Sequence, residues 1–515
     1  MTERPAESEP VRRLVIAGGG SAGWMAAAAA ATALQGRTEI VLVESEAIGI
    51  VGVGEATIPA IHAFNQFVGL DEAEFVKATQ GSFKLGIEFV DWLKTGHRYF
   101  HPFGTHGRNF DWVPLYQYYL QARARGDDTP LQDYSLAWLA ARENRFDRPD
   151  RDPRKALSTL AYAYHFDAVA YGQYLSGIAR SRGVRRIEGK IVEVLRDGES
   201  GDLTALRLES GERVEGDFFL DCTGFRGLLI EQTLETGYED WRHLLPCDRA
   251  IAAPCEHGGD FTPYTRSTAR EAGWQWRIPL QNRIGNGYVH CSEFIGEDEA
   301  TDVLKANLDG ALRAEPRVLR FVTGRRRKAW NRNCVAIGLA AGFMEPLEST
   351  SLHLIQTGIM RFLALFPSRD RSPALEREFN ELTRQEWEAI RDFLVAHYVM
   401  TEREDTPFWR HCRAIAIPDS LAYRLEYFRE TGKITVGPYD MFQESNWMSV
   451  LLGQGLVPRR HDPLAAARRV DGASLLAETR RVLQSAASKM PTHRDFVERH
   501  CKAPGAELPA AGAAE

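Results

Sequence analysis

Hydrophobic and polar positions fall into a definite order over the first forty-five residues. Residues 14–17 are an uninterrupted apolar run, as expected of a short strand buried on both faces. Gly18, Gly20 and Gly23 follow in G-x-G-x-x-G spacing and lead into an alanine-rich helix. A second apolar run, 39–43, ends at Glu44. Strand, glycine turn, helix and strand together predict a dinucleotide-binding βαβ unit. Gly18 allows the tight turn, Gly20 lets a pyrophosphate approach the backbone, and Gly23 lets helix and strand pack closely. Ser21 and Ala22 open the helix, whose free N–H groups suit the phosphates, and Glu44 suits a ribose hydroxyl. Arg12-Arg13 ahead of an apolar stretch also resembles an export signal or a membrane span, but neither calls for three spaced glycines and an acid-ended strand. The fingerprint by itself leaves FAD and NAD open.

The remaining pattern is mixed α/β. Residues 49–59, with Gly54, Glu55, Ala56 and Thr57, read as a glycine-rich loop against a bound cofactor. Residues 82–92 alternate, with Phe83, Leu85, Ile87 and Phe89 on one face and Lys84, Gly86 and Glu88 on the other. A lysine in such a strand is ordinarily its solvated face. Residues 98–104 cluster His101 and Phe103 with other aromatics, as core or as a pocket wall for a flat substrate. Residues 163–175 carry a helical apolar stripe in which His165 and Asp167 read as structural hydrogen-bond partners. Short alternating strands follow over 184–216, and the run 218–221 returns the chain to the first sheet. Another buried strand within 332–342 leads to a long helix whose start holds Glu348, Ser349, Thr350 and Ser351, either as caps or as an anion site. From 373 onward the pattern is helical. The expected organisation is a disordered 1–10, then a Rossmann-like FAD-binding domain over 11–372 carrying a mixed β substrate region (about 82–216 and 228–330). A mainly helical part over 373–503 and a disordered tail over 504–515 complete it.

Composition narrows the partners. A net charge of −7 on 515 residues gives no reason to expect nucleic acid or an anionic membrane. The basic run Arg325 to Lys328 reads as a solvated loop or helix end. Seven scattered cysteines without a C-x-x-C pair argue against a zinc site, leave the metal inventory empty and fit a reducing, cytoplasmic setting. No second G-x-G-x-x-G is present, so reducing equivalents can arrive from another protein.

Several motifs together resemble the flavin-dependent halogenases of the tryptophan halogenase family. They are GGGSAG at 18–23, GVGEATIP at 52–59, SFKLGI at 82–87, AYHFDA at 163–168, LDCTGFRG at 220–227, W-x-W-x-I-P at 274–279, GFMEPLEST at 342–350 and DTPFWR at 405–410. The resemblance implies FAD, used as FADH2, with Gly338 and Leu347 joining the fingerprint and loop residues around it. It implies hypohalous acid made at the flavin from O2 and chloride or bromide, and directed by Lys84 to an electron-rich arene such as indole, tryptophan or a relative. Glu348 and Ser349 match the residues beside that lysine, and Thr350 and Ser351 match halide-holding backbone. Trp274 and Trp276 match tryptophans that keep substrate from the flavin, and His101 and Phe103 match an aromatic substrate wall; Trp447 is expected in the same pocket, though the segment 442–447 departs from the lid that grips free tryptophan in the family. A separate NAD(P)H-dependent flavin reductase is the implied partner, and homodimers occur among relatives. A flavin monooxygenase on the same fold, or a non-catalytic flavin-binding protein, remains an alternative reading of the residues.

Overall fold

The computed structural model describes residues 9–46, 54–110, 112–259, 261–467 and 470–509. Residues 1–8, 47–53 and 510–515, where parts of the cofactor loop and the terminal tails were expected, lie outside the described residues. Strand Arg13–Ala17 stands inside a six-stranded sheet, between Phe218–Asp221 and Glu39–Glu44, parallel to both. Cys334–Ala336 and Arg185–Glu188 extend it in parallel on either side, and Trp330–Asn331 closes one edge antiparallel. The sheet alternates cleanly: Leu14, Ile16, Ile40 and Leu42 enter one hydrophobic cluster, Val15, Ala17, Val41 and Val43 the other. Period-two patterning thus places two cores on two faces. Helix Ser21–Leu34 is buried from Gly23 through Ala31, between helices Ala168–Ser181 and Ser351–Ala364, where alanines permit close approach.

A seven-stranded sheet forms the second layer, with Gly273–Pro279 and Ile284–His290 at its middle and Gly86–Val90 and Arg98–Pro102 at one edge. A small sheet of Gly54–Ala56, Ala163–Asp167 and Ser82–Lys84 lies between the layers. The long helix Pro373–Val399 and the helices after it complete the molecule. None of the described helices is long and apolar enough to cross a membrane.

Four local expectations are corrected. The 82–92 run is two strands in different sheets, because Leu85 leaves the ladder and gives its N–H to the Pro263 carbonyl. Phe83 and Leu85 therefore pack in one core and Ile87 and Phe89 in the other, and Lys84 is buried, not solvated. Residues 163–167 are a strand, and the helix starts only at Ala168, with Asp167 capping the Val169 and Ala170 N–H groups. The alternating His165 and Asp167 mark the strand; only the later residues carry helical spacing. Arg325 and Arg326 lie buried on strand Gly324–Arg326, paired with Glu239, Glu388 and Glu231. Residues 504–509, assigned by composition to the tail, include buried Ala506 and Leu508.

Candidate active site

Two places collect the residues singled out above. The first is the turn at Gly18–Gly23. Gly18 has φ +102°, and a Cβ there would meet the Cys222 carbonyl oxygen at 2.3 Å. At Gly20 a Cβ would meet nothing within 4 Å, so the helix start faces open space. No side chain caps helix Ser21–Leu34, and its first N–H groups are left for a ligand. A diphosphate fits this cradle, and FAD is the flavin dinucleotide that carries one. Glu44, at the end of its strand, is held by the Arg186 guanidinium and accepts the Trp24 indole N–H at 3.3 Å. Gly338, at φ +69°, packs on Ala22, and Leu347 is buried. Burial pushes the Glu55 carboxyl up to about 7. Ala56 and Thr57 are buried beside it, and the Thr57 hydroxyl donates to the Tyr164 carbonyl at 2.8 Å.

The second place is assembled from distant segments. The Lys84 side chain is fully buried, and its Nζ donates to Ser349 Oγ at 2.8 Å and to the Thr57 carbonyl at 3.0 Å. It lies 5.0 Å from the centre of the Phe103 ring. Burial drives the Lys84 amine down to about 7, against the pull of the Glu348 charge. Ser349 is a non-glycine residue at φ 60°, ψ 38°, in the turn that joins Pro346–Glu348 to helix Ser351–Ala364. Such a conformation costs roughly 1–3 kcal/mol and is kept where surrounding structure enforces it. That turn aims Ser349 at Lys84 and leaves the helix uncapped by any side chain. Thr350 Oγ1 is buried without a partner among the described residues, next to the N–H groups of the helix start.

Glu348 is 1% exposed and receives two histidines. His101 Nδ1 meets its two oxygens at 2.9 and 3.0 Å, and His397 Nε2 meets Oε1 at 2.9 Å. Burial alone would raise this carboxyl; the charge and hydrogen bonds of the histidine pair outweigh it and hold it below the usual carboxylate range. Both ring nitrogens of His101 are engaged, the second by Asn446, so His101 does more than offer a stacking face. Trp447 is one ring removed: it packs edge-on against Phe393, which in turn touches His101. Trp447 instead borders a cavity of about 210 Å³ with Asp392, Arg424 and Asp440. Trp274 and Trp276 are buried on strand Gly273–Pro279, and Trp274 shares Glu345 Oε2 with the Tyr398 hydroxyl, each donating at 2.6 Å. Burial pushes Glu345 up to about 7.

His397, Asn446, Glu345 and Arg186 are not among the residues expected from sequence. His397 sits within the apolar stripe of an amphipathic helix, where a histidine reads as core. Asn446 adjoins Trp447, and Glu345 stands in the same motif as Glu348, so those two were within reach of the motif reading.

The chain matches the tryptophan halogenase family over residues 13–469. It is 36% identical to tryptophan 6-halogenase SttH of Streptomyces toxytricini over 88% of this chain and 91% of that protein. In structure it is similar to Xcc4156, a flavin-dependent halogenase from Xanthomonas campestris, with TM-score 0.93 and 45% identity over 97% of this chain and 100% of the other. BrvH, a flavin-dependent halogenase from Brevundimonas sp. BAL3, gives TM-score 0.91 and 42% identity over 95% and 99%. A fingerprint cradle and a buried lysine–glutamate cluster, joined to matches over nearly the full length, place the chain in the tryptophan halogenase family, as a flavin-dependent halogenase.

Proposed function

We propose that the protein uses reduced FAD, O2 and chloride or bromide to halogenate an electron-rich arene of the indole or tryptophan class. One observation carries this reading: a buried amine of depressed basicity, Lys84, rests on Ser349 beside the anionic Glu348. FAD would be held by the backbone at Gly18–Gly23, by Glu44 and by the 54–57 strand and turn. When bound and reduced, it supplies hypohalous acid from O2 and halide. Thr350 and Ser351 offer backbone N–H groups for the halide at an uncapped helix start. Trp274 and Trp276 fill the strand between cofactor and substrate sides and keep the arene out of the flavin's reach.

The remaining steps belong to the chain's own groups. A neutral Lys84 amine takes the halogen from hypohalous acid and water leaves. The ring carbon then attacks the halogen, and the nitrogen–halogen electron pair returns to Lys84. The carboxylate of Glu348 takes the ring proton, and Lys84 recovers a proton as the cycle closes. His101 and Phe103 flank this point and favour a flat aromatic substrate. The similarity to tryptophan halogenases supports an indole ring as that substrate. The sequence holds no second dinucleotide fingerprint, which leaves the supply of FADH2 to a separate NAD(P)H-dependent reductase open, and the family resemblance supports that source.

The test offers purified protein FAD, a flavin reductase, NADH, air and bromide or chloride with a panel of indoles, and reads products by mass spectrometry. A halogen isotope pattern dependent on every component is expected. Oxygenated product, or rapid NAD(P)H consumption without added reductase, would overturn the reading in favour of a monooxygenase.

A further inference from the structure

The hydrogen bonds around Glu348 leave little freedom in where protons sit. Asn446 belongs to the capping box of helix Glu444–Gly453, and its Oδ1 accepts the Gln443 backbone N–H at 2.8 Å. That bond orients the amide, so Nδ2 is the atom facing His101 Nε2 at 2.9 Å. An amide nitrogen only donates. His101 Nε2 therefore accepts, its proton sits on Nδ1, and the ring gives Glu348 one neutral donor. His397 differs. Its Nδ1 faces the Phe393 backbone carbonyl at 2.8 Å, which can only accept, so Nδ1 carries a hydrogen. Its Nε2 faces Glu348 Oε1 at 2.9 Å, and that contact also needs a proton. Imidazole is a stronger base than a carboxylate, so the shared proton rests on Nε2, and His397 carries both protons and is a cation.

We propose that His397 is a positioning residue, the standing counter-cation of Glu348, and that by neutralising this carboxylate it leaves Lys84 as a free amine. The inference rests on the reading of Lys84 as the amine that takes the halogen. The groups facing Glu348 are few. Strand Arg98–Pro102 brings His101 and Tyr99, the long helix brings His397, and strand Ser82–Lys84 brings Lys84. Burial keeps the Tyr99 hydroxyl protonated, His101 is the neutral donor, and burial keeps His165, beside Lys84, neutral, so among the described residues the counter-cation of Glu348 is either His397 or Lys84. Without it, Glu348 would find its positive partner in Lys84, and an ion pair would hold the proton on the amine. Lys84 donates instead to two neutral oxygens, those of Thr57 and Ser349.

Two measurements decide this. The first is 15N NMR of histidine-labelled, full-length, FAD-loaded protein, which reads protonation without turnover. His397 is expected to carry hydrogen on both ring nitrogens at the pH where the enzyme turns over, and His101 on Nδ1 alone. A neutral His397 there overturns the inference and leaves the halogenase reading standing. The second is the pH profile of kcat/KM in His397→Gln. Its acid limb, set by Lys84, is expected to move up by about one unit, so activity falls about tenfold at neutral pH and returns in alkali. Arene KM stays near the wild-type value. Equal loss at every pH would make His397 merely structural and overturn the proposal. No halogenation by wild type at any pH would remove the reading beneath it instead.

Discussion

The fingerprint turn and the Lys84–Glu348 cluster handle charge in opposite ways. At Gly18–Gly23 the groups that face a ligand are backbone: an uncapped helix start faces open space, and the carboxylate packed against the turn, Glu44, is already paired with Arg186. Around Lys84 the backbone gives one carbonyl, and the rest is side chains that are almost wholly buried. A backbone site tolerates exchange of its neighbours but not an added Cβ. A side-chain site tolerates conformational change at its edge but not loss of one titrating group, because the chemistry runs through that group. The two sites should therefore fail in different assays.

Lys84→Ala gives the largest effect expected. Halogenation falls by roughly 1,000-fold or more, since both the halogen acceptor and its aim are removed, while FAD affinity measured by fluorescence titration stays within about twofold of wild type. Residual halogenation near the wild-type rate would show that the cluster does not direct the oxidant. Gly20→Val inverts the pattern. Two methyl groups enter the space that is open in this turn, and FAD affinity falls by about 100-fold with the fold retained by circular dichroism. If Gly20→Val bound FAD normally, the cradle would not be the diphosphate site and the contrast drawn between the regions would fail.

These two regions also differ in how far the sequence exposes them. The turn is local: three glycines within six residues and an acid twenty-one residues on determine it, and strand, helix and parallel pairing followed as expected. The cluster is not local. Lys84 lies in a run that alternates like a half-solvated strand, and only the exit of Leu85 to Pro263 buries it. Spacing cannot show that a strand changes sheets. Motif resemblance singled out Lys84, Glu348 and Ser349, because those side chains sit in contiguous signatures, and the fold brings the three together. It missed His397 and Asn446, which lie far downstream in segments whose apolar periodicity says only that they are helices. Arg325 and Arg326 failed for a related reason: a basic run looks solvated until the acids that neutralise it arrive from Glu231, Glu239 and Glu388.

Stability against pH sharpens the same contrast. The amine of Lys84 sits at about 7 in the folded chain against 10.5 for an exposed lysine. Between those values the unfolded chain binds more protons than the folded one, so stability rises with pH across that window, and the full penalty is present below it. Lys84→Met removes the penalty and two hydrogen bonds together. It is expected to be more stable than wild type by on the order of 1–3 kcal/mol at about pH 7, with the difference closing toward pH 10. Denaturant titrations at several pH values check this. A difference independent of pH would mean that Lys84 is not a strongly desolvated amine. No such pH signature is expected of Gly20→Val, whose effect contains no proton.

Ser349→Gly is the smallest change and the most discriminating. Glycine accepts the φ of 60° without strain, and after its larger loss of backbone entropy on folding this favours the variant by on the order of 1 kcal/mol. It also removes the hydroxyl that receives the Lys84 proton at 2.8 Å, worth about 1 kcal/mol. The two nearly cancel, so denaturation midpoints should barely move. Lys84, however, loses the partner that fixes its direction, and halogenation should fall by about tenfold because aim depends on angstrom-scale placement. An unchanged rate alongside unchanged stability would mean that the turn at Ser349 serves the chain path into helix Ser351–Ala364 and nothing more. A lowered rate at constant stability would separate positioning from folding in the one residue where backbone strain and side-chain chemistry meet.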